Sequence, residues 1–263
     1  MMSGPRFSLI TIAFNDLPGL QRTVASIESQ TLEDWEHIIV DGGSSDGTVE
    51  WLESLAPDPR RRWTSGPDQG IYDAMNRGLA RAKGQLVMFP NSGDCLADDR
   101  ALALISTSQG EHGWAWAYGA VRFTDTEGRP TGAYVFDPYN RTKFVMGINW
   151  IPHATVCVSA ELAAQLGDYR LDVGTSADQE YLMRAARVAD PYVISWFIGD
   201  FERGGVSQTV GPRDRELVWH RMRETSGTLW RGSRIMDRAV SEILSLRTPS
   251  RILAKRLGTG LRS

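Results

Sequence analysis

Strand-like and helix-like segments alternate four times within the first hundred residues, and this rhythm constrains the fold more than any other feature. Residues 7–14, "WEHIIVD", "RRWTS" and "GQLVMF" read as strands, and amphipathic or polar-capped helical stretches follow the first three. Neighbouring parallel strands need crossover connections, which are usually helices of right-handed sense. The sequence therefore predicts an α/β fold with a mostly parallel sheet flanked by helices.

After residue 99 the rhythm changes. "GWAWAYGAVRF" and "AYVF" predict an antiparallel hairpin with Gly128 and Pro130 near its tip, and "ATVCVS" and "YVISWFIG" predict two further strands. We expect Asp16 to cap the first helix and Ser159 to cap the helix "ELAAQLG". The expected organisation is one domain over residues 1–229, with halves at 1–100 and 101–229, followed by a tail at 230–263.

The charge of the chain is unevenly distributed. Its net charge is −3 over 263 residues, which argues against nucleic acid as a partner. Residues 230–263 hold eight Lys or Arg and two Asp or Glu, a balance of 8 − 2 = +6, so the rest carries −3 − 6 = −9. A solvated, partly disordered tail and a membrane-seeking or phosphate-seeking tail are the two alternatives.

Several cellular signals are missing from the sequence. No window approaches 18 consecutive apolar residues, and the N-terminal segment lacks the apolar run and cleavage site of a secretory signal. Cys95 and Cys157 are too few for a disulfide framework and lack metal-type spacing. We expect a cytoplasmic protein, with the inner face of the membrane as a second expected location.

Three polar clusters stand at the ends of predicted strands: "FND", "DGGSSDGT" and "PNSGD". In a parallel sheet these ends open onto one edge, where α/β folds bind ligands. Asp41 can accept hydrogen bonds from a base or a ribose, or it can belong only to a helix-capping turn. Asp94 can hold a metal ion, or "PNSGD" can be a surface turn. The glycines fit neither a P-loop nor a dinucleotide loop.

The stretches "SLITIAFN", "IIVDGGSSDGT", "SGPDQGIYDAMNRGLARAKGQLVMFPNSGD" and "SADQEYLMRA" resemble the family 2 glycosyltransferases of GT-A type. The similarity covers about 200 residues, and it points to the bacterial branch that decorates polysaccharides and glycolipids, as the colanic-acid-type enzymes do. The resemblance implies a GT-A, Rossmann-like sheet with a smaller mixed antiparallel portion on the acceptor side. Residues 1–100 would then bind the nucleotide sugar.

Donor-binding residues follow from the resemblance position by position. Asp41 matches the residue that contacts the base, and relatives carry Thr where this chain has Ala13. Asp68 lies beside the nucleotide and sugar, and helical spacing puts it on one face with Tyr72 and Asn76. The implied donor-binding set is Ala13, Phe14, Asn15, Asp41, Gly43, Asp68, Tyr72, Asn76, Asn91 and Ser92.

The resemblance also implies a divalent metal ion. "NSGD" occupies the place of the family's D-x-D motif, whose last Asp binds the ion that bridges the donor diphosphate, so Asp94 is the expected ligand. Mn²⁺ or Mg²⁺ suits such a site, since both prefer oxygen ligands. Asn91 replaces the first carboxylate of the motif, and we expect its amide to bind the ribose or the sugar.

The expected catalytic base is Asp178, which matches the Asp of the family's acidic motif, with Arg184 six residues later. Placement at a helix N-terminus is the structural alternative for this carboxylate, and Glu180 is the nearest rival. Trp150 and His153 are weaker candidates for the acceptor side. Arg203 and Ser207, in a segment that resembles a closing loop, are weaker still, whereas Trp114 and Trp116 are expected in the core.

The predicted function is inverting, metal-assisted transfer of a hexosyl group from a GDP-, UDP- or dTDP-linked sugar to a hydroxyl of a saccharide or glycolipid. GDP-linked deoxyhexoses are the slightly favoured donors, because that branch often uses them. Two alternatives stay open: a sugar-nucleotide-binding protein without catalysis, and a nucleotidyltransferase of related fold. The membrane enters only as a peripheral contact of the basic tail.

Overall fold

The computed structural model describes residues 4–125, 128–202 and 212–245. Within these ranges the strands are β1 (Phe7–Ala13), β2 (Trp35–Asp41), β3 (Arg61–Ser65), β4 (Leu86–Met88), β5 (Cys95–Leu96), β6 (Trp116–Thr124), β7 (Pro130–Tyr134), β8 (Val156–Ser159) and β9 (Tyr192–Glu202). The helices are α1 (Leu17–Glu28), α2 (Thr48–Ser54), α3 (Ile71–Leu79), α4 (Ala101–His112), α5 (Arg141–Val145), α6 (Ala160–Leu166), α7 (Ala177–Val188), α8 (Pro212–Thr225) and α9 (Arg234–Ser245).

The strands form one mixed sheet in the order β3-β2-β1-β4-β8-β6-β9-β5, and β7 pairs with β6 outside this path. The four strands β3, β2, β1 and β4 are parallel, as the strand–helix rhythm predicts. β8 runs antiparallel to both β4 and β6, whereas β9 is parallel to β6. The predicted α/β class, with a mixed antiparallel portion after the parallel one, is confirmed.

Local signals for helices are largely confirmed. The Asp16 carboxylate accepts a hydrogen bond from the Gly19 backbone, and the Ser159 hydroxyl accepts one from the Leu162 backbone, so both predicted caps are present. α3 ends at Leu79, and β4 is shorter than the run "GQLVMF". Beyond β4 the chain stays bonded to β1, since the Ser92 N–H donates to the Ile12 carbonyl, and Asn91 and Asp94 then close a turn.

The main apolar core joins the two halves of the chain. Residues of the parallel part, such as Ile10 and Val87, share one buried cluster with Trp116 and Tyr181 of the second half. A second cluster on the other side of the sheet includes Trp114 and Cys157. Trp114 and Trp116 therefore lie in the core as predicted, and Cys95 and Cys157 are free thiols.

The C-terminal helices α8 and α9 pack on each other, and Met222 of α8 belongs to the main core. Asp237 of α9 is fully buried and accepts hydrogen bonds from Arg223 and from the Trp230 backbone. The sequence-based boundary at 229/230 thus falls inside a packed pair of helices, which residue charge alone did not indicate. Residues 246–263 of the expected tail lie outside the described ranges.

Across the part of the chain that the structure describes, no helix has both the length and the apolar character needed to cross a bilayer.

Candidate active site

The loops that follow β1 and β2 are tied together at the carboxyl edge of the sheet. The Asn15 backbone N–H donates to the Ser44 hydroxyl at 2.7 Å, and the Asn15 side-chain oxygen accepts from the Ser45 backbone at 2.8 Å. Asn15 has a positive φ of 51°, a conformation that Asn tolerates better than most residues. Asn15 therefore fixes the shape of this edge through its own backbone and side chain.

The Asp41 carboxylate is almost fully buried and is occupied by the loop around it. One oxygen, Oδ2, accepts from the backbones of Gly43 and Ser44 at 3.1 and 3.0 Å and from the Ser65 hydroxyl at 2.5 Å. The other oxygen accepts from the Ser44 hydroxyl. These contacts shape the loop itself and do not cap α2, whose N-cap residue is Gly47. A base contact at Asp41 stays a prediction.

Phe14 and Asp68 meet above Gly42 at this edge. Phe14 is 65% exposed, although it follows a buried strand. A Cβ placed on Gly42 would lie 3.2 Å from the Phe14 ring and 2.8 Å from an Asp68 carboxylate oxygen, so a larger residue would displace the Asp68 side chain. The neighbouring Gly43 has a φ of +87°. An exposed ring at this position can stack on a base, and the carboxylate beside it can accept hydrogen bonds from that base.

Asn91 and Asp94 close the turn after β4. The Asp94 backbone N–H donates to the Asn91 carbonyl at 2.9 Å, and the Asp94 carboxylate accepts from the Asn91 N–H at 3.1 Å. Asp94 is 6% exposed. Burial raises the pKa of this carboxyl to about 7, although the Asn91 hydrogen bond acts in the opposite direction. A nearby cation would favour the charged form.

Asp16 adds a second carboxylate at this turn, and sequence reasoning assigned it only to helix capping. The Ser92 hydroxyl donates to the Asp16 carboxylate at 2.8 Å. A Cβ on Gly93 would lie 3.7 Å from the same carboxylate. The "FND" cluster, which places this Asp beside the expected donor residues, was the signal that could have identified it.

The residues of this turn fit a hard divalent ion. The Asn91 side-chain oxygen is buried and has no hydrogen-bond partner among the described residues, which is unusual for a polar atom. The donors available are amide, hydroxyl and carboxylate oxygens, the ligands that Mg²⁺ and Mn²⁺ prefer. The described ranges contain no group of three His, Cys, Asp or Glu side chains able to hold a metal by themselves. An ion here would complete its coordination with water or with oxygens of a bound substrate.

The half-buried Asp178 carboxylate is held by two donors in the first turn of α7. The Tyr72 hydroxyl donates to one oxygen at 3.1 Å, and the Gln179 amide donates to the other at 2.9 Å. Burial is the main cause that raises the pKa of Tyr72, with the negative charge of Asp178 adding to it, so the phenol stays a donor. The predicted residues Tyr72 and Asp178 are thus brought together.

Glu180, the rival base, is directed into the protein. It is fully buried, and its carboxylate accepts from Arg184 at 3.0 Å. Burial raises the pKa of Glu180, while Arg184 opposes that shift. Arg184 in turn donates to the carbonyls of Leu166 and Asp168. The Glu180–Arg184 pair therefore anchors α7, which leaves Asp178 as the more accessible carboxylate.

Tyr169 collects several predicted site residues into an aromatic cluster. Its ring stacks on Tyr181 with centroids 4.2 Å apart and on Tyr72 at 5.9 Å, and Phe89 meets it edge-on. The Asn76 amide bonds both the N–H and the carbonyl of Tyr169, at 2.8 and 2.9 Å. Asn76 is therefore used to hold this segment, and a donor contact at Asn76 stays a prediction.

His153 belongs to the same cluster. Its Nε2 lies 3.0 Å from the Tyr169 hydroxyl, and no partner for its buried Nδ1 is found within the described ranges. Burial lowers the pKa of His153, and the charge of Asp178 works against that shift. The His153 imidazole is therefore neutral near pH 7, and it holds the Tyr169 hydroxyl in place.

Trp150 stands at the outer side of the site. The ring is 41% exposed and stacks on Tyr134 of β7, with centroids 5.0 Å apart and planes 5° from parallel. The next residue, Ile151, is bonded through both its N–H and its carbonyl to the Gln179 amide. Gln179 therefore links the aromatic pair to Asp178. Sequence reasoning missed Tyr134 and Gln179, because neither carries a motif.

The remaining predicted residues divide into two groups. Ala13 is buried at the end of β1, where it supports the loop below Phe14. Arg203 and Ser207 lie outside the described residues.

Comparison with known proteins identifies the family. The profile of "Glycosyl transferase family 2" matches residues 8–161. An uncharacterized glycosyltransferase of Mycobacterium tuberculosis is 40% identical over 216 residues, which are 81% of this chain and 80% of the relative. A PGL/p-HBAD biosynthesis glycosyltransferase of Mycobacterium bovis is 31% identical over 217 residues, which are 80% of this chain and 82% of the relative.

Solved structures share the fold at low identity. S. aureus TarS in complex with UDP-GlcNAc superposes with a TM-score of 0.65 at 18% identity, over 82% of this chain and 65% of that chain. A mannosyltransferase from Pyrobaculum calidifontis in complex with GDP-Man and Mn²⁺ gives a TM-score of 0.61 at 19% identity, over 91% and 70%. The mixed sheet has the GT-A architecture, and the chain is a member of glycosyl transferase family 2.

Proposed function

We propose that this chain transfers a hexosyl group from a nucleoside-diphosphate sugar to a hydroxyl of a saccharide or glycolipid, with inversion at the anomeric carbon. The observation that carries the proposal is the Asp178 carboxylate, which is held by Tyr72 and Gln179. Gln179 also bonds Ile151, the residue after Trp150, whose exposed ring stacks on the half-buried Tyr134. The carboxylate has a fixed orientation, as a general base requires.

Asp178 acts as the base in this proposal. It accepts the proton of the acceptor hydroxyl while that oxygen forms a bond to the anomeric carbon and the bond to the diphosphate oxygen breaks. Attack from the face opposite the leaving group inverts the configuration. Tyr72 and Gln179 occupy one lone pair of each carboxylate oxygen, which leaves one lone pair on each oxygen able to accept the proton of an acceptor hydroxyl.

The donor lies along the carboxyl edge of β1, β2 and β4 in this proposal. Phe14 and Asp68 would contact the base and the ribose, and Gly42 and Gly43 allow the backbone to approach closely. Asp94 would hold Mn²⁺ or Mg²⁺ together with diphosphate oxygens. The Asn91 oxygen, which has no partner in the described residues, would take either the contact to the ribose or sugar expected from the sequence or a place at the ion. When bound, such an ion neutralises the charge that develops on the leaving diphosphate.

Two relatives support the donor class without fixing the base. The TarS structure contains UDP-GlcNAc, and the mannosyltransferase structure contains GDP-Man with Mn²⁺. The acceptor side is proposed at the Trp150–Tyr134 pair, because aromatic faces pack well against the apolar faces of sugars or aglycones.

Ligand-induced stabilisation tests the donor site. We would measure thermal unfolding with UDP, GDP and dTDP, each with and without Mn²⁺, on the parent, Asp94→Asn and the exposed control Asp99→Ala. At about 100 times its Kd, a nucleotide stabilises the fold by about 2.7 kcal/mol. We expect one nucleotide to do so only with Mn²⁺, in the parent and in Asp99→Ala but not in Asp94→Asn. Absence of any shift in the parent would refute the donor site.

Turnover tests the base and separates the alternatives. Asp178→Asn keeps the shape and the contact to Tyr72 but loses the basic oxygen, so kcat should fall by roughly 10²- to 10⁴-fold with nucleotide binding unchanged. Release of nucleoside diphosphate from a sugar nucleotide in the presence of acceptor is the readout. Donor binding without turnover in the parent would point to a binding protein, and release of pyrophosphate from a nucleoside triphosphate and a sugar phosphate would point to a nucleotidyltransferase.

A further inference from the structure

Helix α9 packs with its polar side inward and its apolar side outward. Asp237 and Ser241 are buried at 0% and 2% exposure, where they bond the buried Arg223 of α8. In contrast, Ile235 is 83% exposed and Ile243 is 61% exposed. Helices of soluble proteins normally bury their apolar side and expose their polar side, so the exposed apolar side of α9 needs an explanation.

The outward apolar residues form a continuous face. At about 100° per residue, they fall within an arc of roughly 140°, opposite Asp237 and Ser241. This set, called the outer face of α9, consists of Ile235, Met236, Ala239, Val240 and Ile243. A helix with one apolar and one polar face is suited to lie in the plane of a lipid interface.

Charged residues of both signs lie beside the outer face: at about 100° per residue Glu242 is next to Ile235, Arg238 follows it, and Arg234 lies farther round the helix near Ser241. Arg231, Arg234 and Arg238 are exposed, and two of them also meet carboxylates, since Arg234 contacts Glu224 and Arg238 lies 3.5 Å from Glu242. The sequence after α9, residues 246–263, contains five Lys or Arg and no Asp or Glu. The cations there are Arg247, Arg251, Lys255, Arg256 and Arg262. The rest of the protein is acidic, so cationic attraction is concentrated in this region.

The size of the outer face argues against a second protein copy as its partner. Nine residues of helix extend over only about 12 Å. A stable protein interface buries about 800 Å² on each partner, which a face of this length cannot supply by itself. A lipid surface needs no matching protein shape, and anionic headgroups complement the nearby arginines.

We propose that the outer face of α9 inserts into the headgroup region of an anionic lipid bilayer, with Arg238 near the edge of the face and Arg231 and Arg234 at the N-terminal end of the helix adding attraction to the phosphates. This inference goes beyond glycosyl transfer and does not depend on it, because vesicle binding requires neither donor nor turnover. It gives the catalytic domain a position at a lipid surface.

Vesicle flotation with the full chain tests the proposal. We would compare neutral phosphatidylcholine vesicles with vesicles containing about one third phosphatidylglycerol, at low and high salt. We expect binding to the anionic vesicles that weakens with salt, and a loss of at least tenfold in the partition coefficient for the double variant Ile235→Ser/Ile243→Ser. Leu171→Ser/Val188→Ser is the matched control, since those side chains are also exposed apolar residues, at 48% and 47%, and it should bind as the parent does.

Substitution of the arginines tests the charge. Arg234→Gln/Arg238→Gln should weaken anionic binding several-fold and flatten its salt dependence. Absence of parent binding to anionic vesicles would overturn the proposal. So would a parent that is dimeric by light scattering and becomes monomeric in Ile235→Ser/Ile243→Ser. If the parent does not bind vesicles and Ile235→Ser/Ile243→Ser has a lower melting temperature, then another segment of the same chain packs on the outer face.

Discussion

At the scale of single residues, the polar side chains around the candidate site differ in what they have left to offer a ligand. Asp41 and Asn76 form their hydrogen bonds within the protein, since Asp41 binds its own loop and Asn76 binds the Tyr169 backbone. In contrast, the Phe14 ring is exposed, and the Asn91 oxygen has no hydrogen-bond partner among the described residues. A substrate is therefore expected to contact Phe14 and the Asn91 oxygen, whereas Asp41 and Asn76 keep the shape of the sheet edge.

His37 makes stability depend on pH below neutrality. It is buried in β2, its Nε2 lies 2.9 Å from the Thr11 hydroxyl, and that hydroxyl also donates to the Pro90 carbonyl just before the Asn91 turn. Burial, with a contribution from Arg61, lowers the pKa of His37 to about 3. The unfolded chain binds the proton near pH 6.5, so the stabilising contribution is complete above that pH and is lost as the pH falls toward 3.

The His37→Gln variant should therefore respond less to acid than the parent does. Between pH 7 and pH 5 the parent should lose about 2 kcal/mol more than the variant, because only the parent carries His37, whose pKa is about 3 in the folded protein and near 6.5 in the unfolded chain. The other titrating groups, His153 among them, contribute to both slopes. Urea unfolding at pH 7, 6 and 5 gives the two slopes. Equal slopes would mean that His37 is solvated or charged in the folded protein.

At the scale of elements, close packing of α3 on the sheet sets the position of Tyr72. A Cβ on Gly78 would lie 2.3 Å from the Ile10 methyl of β1, which cannot yield easily inside the core. Tyr72 lies on the same helix, six residues earlier, and reaches Asp178 across the site. The separation of helix and sheet thus decides where the hydroxyl that holds the candidate base lies.

Gly78→Ala should destabilise the fold by about 1–3 kcal/mol through overpacking, although alanine is the better helix former. Gly110→Ala is the matched control in α4, since a Cβ there meets nothing within 4 Å, and it should stabilise by about 0.5–1 kcal/mol. Chemical denaturation of both variants measures the two changes. Stabilisation by both substitutions would show that α3 has room for a methyl group between Gly78 and Ile10 of β1.

The sequence predicted features that depend on residues close together in the chain better than features that depend on distant residues. The caps at Asp16 and Ser159 and the parallel strands were predictable, because capping and periodicity are local. The Gln179 bridge to Ile151 was not, since it joins residues 28 positions apart that have no motif between them. The packing of α9 was also missed, because residues 230–263 were interpreted from their charge as a tail, and the buried pair of Asp237 with Arg223 joins residues 14 positions apart.

At the scale of the whole molecule, core residues from both halves of the chain share one cluster, and Trp219 and Met222 of α8 extend it toward α9. Asp237 connects α9 to this cluster through Arg223, which also donates to the Val145 carbonyl. The hydrogen bond from Arg223 keeps the pKa of Asp237 low even though burial acts to raise it. These links predict that α9 unfolds together with the catalytic domain.

Asp237→Ala tests this coupling, because it leaves the fully buried Arg223 charge without its carboxylate. The expected loss is about 3–5 kcal/mol, which lowers the melting temperature of a protein this size by roughly 6–20 °C. Asp172→Ala is the matched control: that carboxylate also meets two arginines but is 50% exposed, so its loss should cost less than about 1 kcal/mol. Calorimetry should show one transition in the parent and one transition, shifted as a whole, in Asp237→Ala. A separate early transition in that variant would instead show that the C-terminal helices fold independently of the sheet.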